Sequence, residues 1–526
     1  MKKILIIVVV IGVIAGSCKK GFLSSLQNDP NSPTSSAATP QLVLPGCLTS
    51  LVNIVNSTSY QTEASWMGYW MYSPGYSFNS TVENYVMTSS SPQHWDDYYG
   101  VLANLNFIAG ETTTPDLANY HDISTILEAV CYKNLADLYD KIPFTQALKG
   151  SGDFNPTYDD GSVVYDSLVA RLDAAIADIQ ANLGNSAVAR PASDDIAFGG
   201  DMTQWMLFAN TVKLKLLVQQ SAVSSKAATL SAEATKTASV GFLTQDALVN
   251  PGYTQSQPSP MWGAFGVSPS GALNGSYTFI VSNQTIIDFY TKTNDQRLAY
   301  FCGQNKVNPT MDSFWTPKLP VNPANYSGNY LGIQNSLPNG GSGIGPGIVQ
   351  SPNQSAVLML AAESYFVQAE ATILGWLSGG LPAAQALYQK GIIASYEYLN
   401  VGGSTAAADT YAAAYIGQPN VGYVTFATDG SASNDSLMHT VITQKWAALN
   451  SISNVEAYND WRRTYNPALN SGYPIVPVSK STSNVNPHAP FRYFYPTEEA
   501  TSNGASWQAA GGPSVDVFNN KIFWMP

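Results

Sequence analysis

Apolar side chains that recur every third or fourth position commit much of this chain to α-helix, because that spacing lines them up in one stripe of a turn of about 3.6 residues. From Ser124 to Tyr139 the stripe is Leu127, Val130, Cys131, Leu135 and Leu138. It returns at Tyr165, Leu168, Leu172, Ala175, Ile176 and Ile179, and again at Trp205, Phe208, Ala209, Val212 and Leu216. Each stripe needs another helix to cover it. Lys141-Ile142-Pro143 and Gly150-Ser151-Gly152 separate the first two, since proline and glycine stop helical propagation.

A second helical block opens near Ala361, with Phe366, Ala369, Ile373 and Trp376 on one face. Gly379-Gly380 breaks it and Pro382 opens a further helix carrying Ala384, Leu387, Tyr388 and Ile392. This helix, short turn, helix unit has roughly the tetratricopeptide length. Another pair is predicted over Leu437 to Leu449 and Val455 to Arg463. Between the blocks, from about residue 241 to 354, Pro, Gly, Asn, Ser and isolated aromatics show no sustained period, which predicts long loops; loops of that length inside a compact body are usually functional. Gly340-Gly341-Ser342-Gly343-Ile344-Gly345-Pro346-Gly347 lacks the Gly-Lys-Ser/Thr ending of a phosphate loop and reads as a flexible loop. The stretch beyond Gly472 is irregular as well.

The N-terminus has a different character. Lys2-Lys3, an apolar run from Ile4 to Ile14 and Ala15-Gly16-Ser17-Cys18 read as a charged, an apolar and a cleavage region of a signal peptide. The run is too short for a helix across roughly 30 Å of hydrocarbon, which needs about 20 residues. Gly16-Ser17-Cys18 fits a bacterial lipobox, with Ala15 where Leu is usual, so Cys18 is the expected lipidation site. The polar stretch from Ser24 to Pro40 cannot bury a core and should act as a tether. The expected organisation is therefore a signal peptide over 1–17, a lipidated flexible tether over 18–40, and a single domain over 41–526 with a loop-rich insertion at about 241–354.

Of the 526 residues 45% are hydrophobic, enough for a large core, while only 11% are charged and the net charge is −12. Nucleic acid is excluded as a partner, because phosphate binding needs Lys and Arg gathered on one face. Cys47, Cys131 and Cys302 are far apart in sequence and form no disulfide framework; they read as buried thiols, with one bridge left open. His94, His121, His439 and His488 are scattered without ligand spacing, so no metal and no cofactor is expected. Acidic neighbours such as Asp96-Asp97, Asp159-Asp160, Asp194-Asp195 and Glu498-Glu499 read as surface charges or helix starts rather than a glycosidase pair. Gly266-Val267-Ser268-Pro269-Ser270 fails the nucleophile elbow at its last position.

Aromatic density marks the stretch from Tyr60 to Tyr85, interleaved with Asn, Ser, Thr and Glu. Flat rings beside amides and hydroxyls suit sugars. Trp66, Trp70, Tyr72 and Tyr76 are candidate ligand residues on that ground, against the alternative of ordinary core packing. Trp262 and Trp315, in the loop-rich middle, are candidates because a loop offers less structural reason for a large ring. Arg462-Arg463 reads as structural, bonding helix-end carbonyls or carboxylates.

Several ordered fragments resemble one family, the SusD/RagB nutrient-binding outer-membrane lipoproteins: Cys18-Lys19-Lys20-Gly21-Phe22-Leu23 with Asn28-Asp29-Pro30-Asn31-Ser32-Pro33; Trp95-Asp96-Asp97-Tyr98-Tyr99; Asp137-Leu138-Tyr139 leading to Ile142-Pro143-Phe144 and Ala147-Leu148; Trp205 with Phe208-Ala209-Asn210; Glu363-Ser364-Tyr365-Phe366 with Ala369-Glu370-Ala371; Gln444-Lys445-Trp446; Glu456-Ala457-Tyr458 with Trp461-Arg462-Arg463; and Arg492-Tyr493-Phe494-Tyr495-Pro496 before Glu499. Asp140-Lys141 stands where the family commonly has Gly-Asp. The resemblance implies a mainly α fold, with tetratricopeptide-like helix pairs forming a scaffold, long irregular loops and few short strands. It further implies a non-enzymatic lipoprotein on the cell outer membrane that binds oligosaccharides, or peptides, and delivers them to a SusC-like TonB-dependent transporter barrel. The alternatives are a secreted helical glycoside hydrolase and a structural or adhesive surface lipoprotein.

Overall fold

The computed structural model describes residues 38–91, 94–305 and 316–526, so the signal peptide, Cys18 and Trp315 lie outside the described residues. The principal helices are α1 (Pro40–Val55), α2 (Gln61–Trp66), α3 (Trp95–Glu111), α4 (Ala118–Tyr139), α5 (Gly161–Asn182), α6 (Met202–Gln219), α7 (Ala227–Thr237), α8 (Gln284–Lys292), α9 (Ala361–Ile373), α10 (Gly380–Tyr398), α11 (Thr405–Ile416), α12 (Asn434–Leu449) and α13 (Asn454–Arg463). Every helix expected from periodicity is present, within a few residues of its expected ends.

Local chemistry explains the ends. The Asp201 carboxylate accepts from the amides of Thr203 and Gln204 and starts α6, as Asn283 starts α8 and Ser433 starts α12. α9 stops three residues short of Trp376, the end its apolar stripe suggested. There Gly375 takes φ of 76°, its amide bonds the Thr372 carbonyl, and the Trp376 amide bonds the Ala371 carbonyl. This is a Schellman cap, and a side chain at position 375 would resist the left-handed backbone it requires.

The helices pack mostly on their sequence neighbours: α1 on α3, α3 on α4, α4 on α5, α5 on α6, and α6 on α7. α9 then seats on α6, α10 on α9, α11 on α10, and α12 on α9, while α13 closes against α2. The result is a stack of helical hairpins whose contacting buried residues run from Leu44 to Met525. The strands are short: β1 (Trp70–Tyr72), β2 (Ile142–Pro143), β3 (Tyr158–Asp159), β4 (Ala247–Val249), β5 (Ile280–Ser282), β6 (Cys302–Asn305), β7 (Ser342–Ile344) and β8 (Ala356–Met359). They form four antiparallel pairs, β1 with β5, β2 with β3, β4 with β8 and β6 with β7. The β4–β8 pair closes the neck of the loop-rich segment, and β1–β5 fastens that segment to the first helical block.

Two expectations are corrected here. The middle of the chain is not all loop, for it carries α8 and four of the strands. The glycine-rich run from 340 to 347 is not a free loop either. Its strand β7 is buried, and a Cβ at Gly345 would strike the Tyr300 carbonyl, so glycine permits backbone-to-backbone approach.

Charges inside the stack are paired. Glu370 of α9 accepts from Lys445 of α12 at 2.6 Å and from Arg463 of α13, while Asp460 accepts from Lys445 at 2.9 Å and Arg463 at 2.7 Å. Glu456 of α13 takes Lys133 of α4 at 2.9 Å and Lys215 of α6 at 3.2 Å. Burial opposes the Glu456 charge, but the two ammonium groups outweigh it and hold the carboxyl far below the usual range. Arg462 donates to the Asp137 carbonyl at 2.5 Å and the Phe491 carbonyl at 2.9 Å, so both arginines of the pair are structural. Cys47, Cys131 and Cys302 are buried free thiols.

Candidate functional site

Four residues of α8, Thr285, Asp288, Phe289 and Lys292, fall one helical turn apart and form one wall of a cleft of about 420 Å³. His439, Thr443 and Trp446 of α12 repeat the same spacing and form the opposite wall. Two loops complete the lining, Val421-Gly422-Tyr423 ahead of α12 and the segment with Pro474, Ile475 and Pro477 after α13; Tyr330 closes one side. The volume falls in the range of small-ligand sites, roughly 300–1,000 Å³.

The floor is rigid and aromatic. Trp446 donates its indole N–H to the Met67 carbonyl at 2.9 Å, stacks on Tyr69 with centroids 5.6 Å apart, and meets Phe289 edge-on at 5.4 Å. The rim is open, with Tyr423 41% and Ile475 51% exposed. The Tyr423 backbone is left-handed, at φ 64°, and its carbonyl accepts from the Gln444 amide at 2.9 Å, which ties the loop to α12. On the other loop the Tyr473 ring lies flat on His439, with centroids 3.9 Å apart and planes 8° apart, and its hydroxyl donates to Asp435 at 2.8 Å. The cleft is thus built on helices and on loops tethered to them.

Its titrating groups are largely settled by these contacts. The Asp288 carboxylate accepts from the Tyr330 hydroxyl at 2.6 Å and from the Gln284 amide at 2.8 Å. That bond to Asp288 pushes the Tyr330 phenol up to about 12, so it stays a donor at any physiological pH. Burial lowers the His439 imidazole below its ordinary value, with Asp435 opposing, which favours the neutral ring near pH 7. Lys292 is exposed at the rim, and Lys480 sits 3.4 Å from the Tyr330 ring centroid. Among the described lining residues Asp288 is the single carboxylate, and no group of three metal-ligating side chains occurs among the described residues.

The aromatic candidates from the sequence fall elsewhere. Trp66 is 1% exposed, packs between Tyr85 and Tyr458, and donates to the Val82 carbonyl at 3.3 Å. Trp70 is fully buried and donates to Ser451 at 2.7 Å. Tyr72 is buried, its hydroxyl accepting from Gln61 at 3.2 Å and Asn79 at 3.0 Å. Trp262 is 7% exposed and donates to the Val267 carbonyl at 3.0 Å. These four rings hold the core and offer no open face, which corrects the expectation that they line a ligand site. Tyr76 differs, for it is 41% exposed, bonds Thr278 at 3.1 Å and lies against Phe279, with Phe78 also exposed. It remains a candidate on a separate surface.

The cleft residues carried a signal in the sequence that was too short to see. α8 has nine residues, below the window in which a helical period stands out, yet its Thr285, Asp288, Phe289, Lys292 spacing is helical. The acidic pairs serve local structure: Asp96 and Asp97 lie in the first turn of α3, and Asp195 accepts the Trp205 indole N–H at 2.8 Å.

Known proteins share this architecture. A SusD homologue from Bacteroides fragilis is 19% identical with a TM-score of 0.72, over 93% of this chain and 100% of its own. A second from the same organism is 21% identical with a TM-score of 0.71, over 93% and 99%. A chitin-binding SusD homologue from Flavobacterium johnsoniae is 23% identical with a TM-score of 0.69, over 91% and 98%. No curated protein matches the chain significantly. The model of a SusD-like family described as starch-binding and associating with the outer membrane matches residues 30–496, from ahead of α1 to beyond α13. With the family model spanning the helical stack and both walls of the cleft, this chain belongs to the SusD-like family of starch-binding proteins that associate with the outer membrane.

Proposed function

We propose that this protein is a lipid-anchored receptor on the outer-membrane surface that captures oligosaccharides in the α8–α12 cleft and delivers them to a SusC-like TonB-dependent transporter. The observation that carries this reading is the cleft itself, a preformed groove with an aromatic floor and hydroxyl, imidazole and ammonium groups at its edge. Rings stack on the C–H faces of sugars while neutral polar groups meet their hydroxyls. The family's starch-binding description and the chitin-binding relative support glycans over peptides as the cargo. Binding without turnover is favoured by a lining in which, among the described residues, Asp288 is the single carboxylate, since the usual glycosidase chemistry needs two. Cys18 would carry the lipid, the polar residues up to Pro40 would span the gap to the folded body, and residues 41–526 would act as one receptor domain. In the described residues no helix is long and apolar enough to cross a membrane.

Calorimetric titration of the ectodomain with malto-, chito- and xylo-oligosaccharides and with mixed peptides tests the first half. Saturable binding of a glycan without cleavage products is expected. Binding of peptides alone, or release of shorter sugars, would replace this reading by a peptide receptor or a hydrolase. Copurification of the native lipoprotein with an outer-membrane barrel tests the second half.

A further inference from the structure

The chemistry lining the cleft restricts which sugar it can take. Phe289, Trp446, Val421, Pro474, Ile475 and Pro477 offer carbon surface and no side-chain hydrogen-bonding group beyond the indole N–H, which Met67 already occupies. A plain hexose carries a hydroxyl on nearly every ring carbon. Pressing several of these against such walls leaves each one stripped of water and unpaired, at a cost that grows with every hydroxyl.

Among the polar groups of the lining, one on α12 is set apart. Thr443 is 97% buried, on the 3% exposure of its residue, lines the cleft, and its hydroxyl has no hydrogen-bond partner in the protein. Other threonines on helices avoid that state by bonding the carbonyl four residues earlier. Thr440 on the same helix bonds Ser436 at 3.1 Å, and Thr293 beside the cleft bonds Phe289 at 2.8 Å. Thr443 makes no such bond to His439. An unpaired buried hydroxyl is costly to the free protein, and a ligand acceptor that reaches it removes the cost.

We propose that the cleft selects 2-acetamido sugars over unsubstituted hexoses, with the acetamide methyl against the Phe289, Trp446 and Pro474 walls and its carbonyl accepting from the Thr443 hydroxyl. The inference rests on the capture reading above. An acetamido group replaces one hydroxyl by a methyl, which the carbon walls accept, and a carbonyl, which needs one donor. Thr443, unpaired in the protein, supplies that donor. The polar edge of α8, Thr285, Asp288 and Lys292, is left for the remaining hydroxyls at the rim.

Chitotetraose and cellotetraose share linkage and ring configuration and differ in the substituent at C2, so their affinity ratio reads the acetamide directly. Calorimetry on the wild-type ectodomain should give chitotetraose at least tenfold tighter binding. Thr443→Val, which keeps shape and removes the hydroxyl, should lower that ratio severalfold while leaving the melting temperature nearly unchanged. Thr443→Ser, which restores the donor, should recover most of the ratio. Equal wild-type affinity for the two sugars, or a ratio that Thr443→Val leaves intact, would overturn the acetamide assignment while the capture reading stands. Binding of neither sugar, nor of any other glycan, would overturn both.

Discussion

Glu370→Gln isolates the part of the scaffold on which the cleft depends. Glu370 is fully buried and accepts from Lys445 and Arg463, with Asp460 completing a neutral set of two cations and two anions. Neutralising Glu370 leaves one positive charge in excess inside the stack, where water cannot reach it. Removing one partner of a buried ion pair costs about 3–5 kcal/mol, against at most about 1 kcal/mol for an exposed pair. Lys445 precedes Trp446 on α12, so the loss should also loosen one wall of the cleft and weaken sugar binding. Guanidinium unfolding followed by tryptophan fluorescence measures the cost. The discriminating comparison is Glu370→Gln with Lys445→Met, which removes one charge of each sign and leaves Arg463 paired with Asp460. If the penalty comes from uncompensated charge, the double variant should regain most of the stability lost by the single one, a coupling of about 2 kcal/mol or more. A single variant within about 1 kcal/mol of wild type, or a double variant no more stable than the single one, would refute the reasoning.

Other expectations follow from the same structure. Burial, then the neighbouring Asp178 charge and its hydrogen bond, push Asp122 up to about 8 from 3.8, so the folded protein holds a proton that the unfolded chain releases. The stability from this group is complete below the unfolded value and is lost as pH rises through the folded one; Asp122→Asn should flatten the fall in unfolding midpoint between pH 5 and 8, and an unchanged slope would count against it. Tyr423→Ala and Ile475→Ala, at exposed rim positions, should weaken glycan binding about tenfold with under about 1 kcal/mol of destabilisation, whereas Trp446→Ala should cost about 3–5 kcal/mol of fold stability. Tyr76→Ala separates the two surfaces: if the cleft is the capture site, affinity in calorimetry should stay within about twofold of wild type. Cys18→Ala should move the protein from the membrane to the soluble fraction, as immunoblotting of fractionated cells would reveal.

The helices were legible because each keeps an apolar stripe long enough to set a period. α4, α5 and α6 announce themselves through Leu127 to Leu138, Tyr165 to Ile179 and Trp205 to Leu216. The cleft was not legible for the opposite reason, since its walls are assembled from a nine-residue helix, one face of α12, and two loops whose positions are fixed by long-range bonds such as Gln444 to Tyr423. The tryptophans misled because ring chemistry is the same in a core and in a sugar site. What separates Trp70 from a ligand platform is its bond to Ser451, 381 positions away, and no local window contains it. The glycine run at 340–347 misled similarly, since glycine serves both freedom and close approach, and Tyr300 decides which.

The strand pair β4–β8 brings Val249 opposite Ala356 and so gathers the two ends of a long excursion at one point on the helical stack. That excursion contributes α8 and Tyr330, half of the groove, while α12 and its loops contribute the rest. The groove is therefore split between this excursion and the helical frame. Substitutions at Thr285, Asp288, Lys292 and Tyr330 would redraw one side of the groove, while Asp295 and Arg297 of the same excursion, buried against Tyr396, Ser395 and Gln444, hold it to the helical stack.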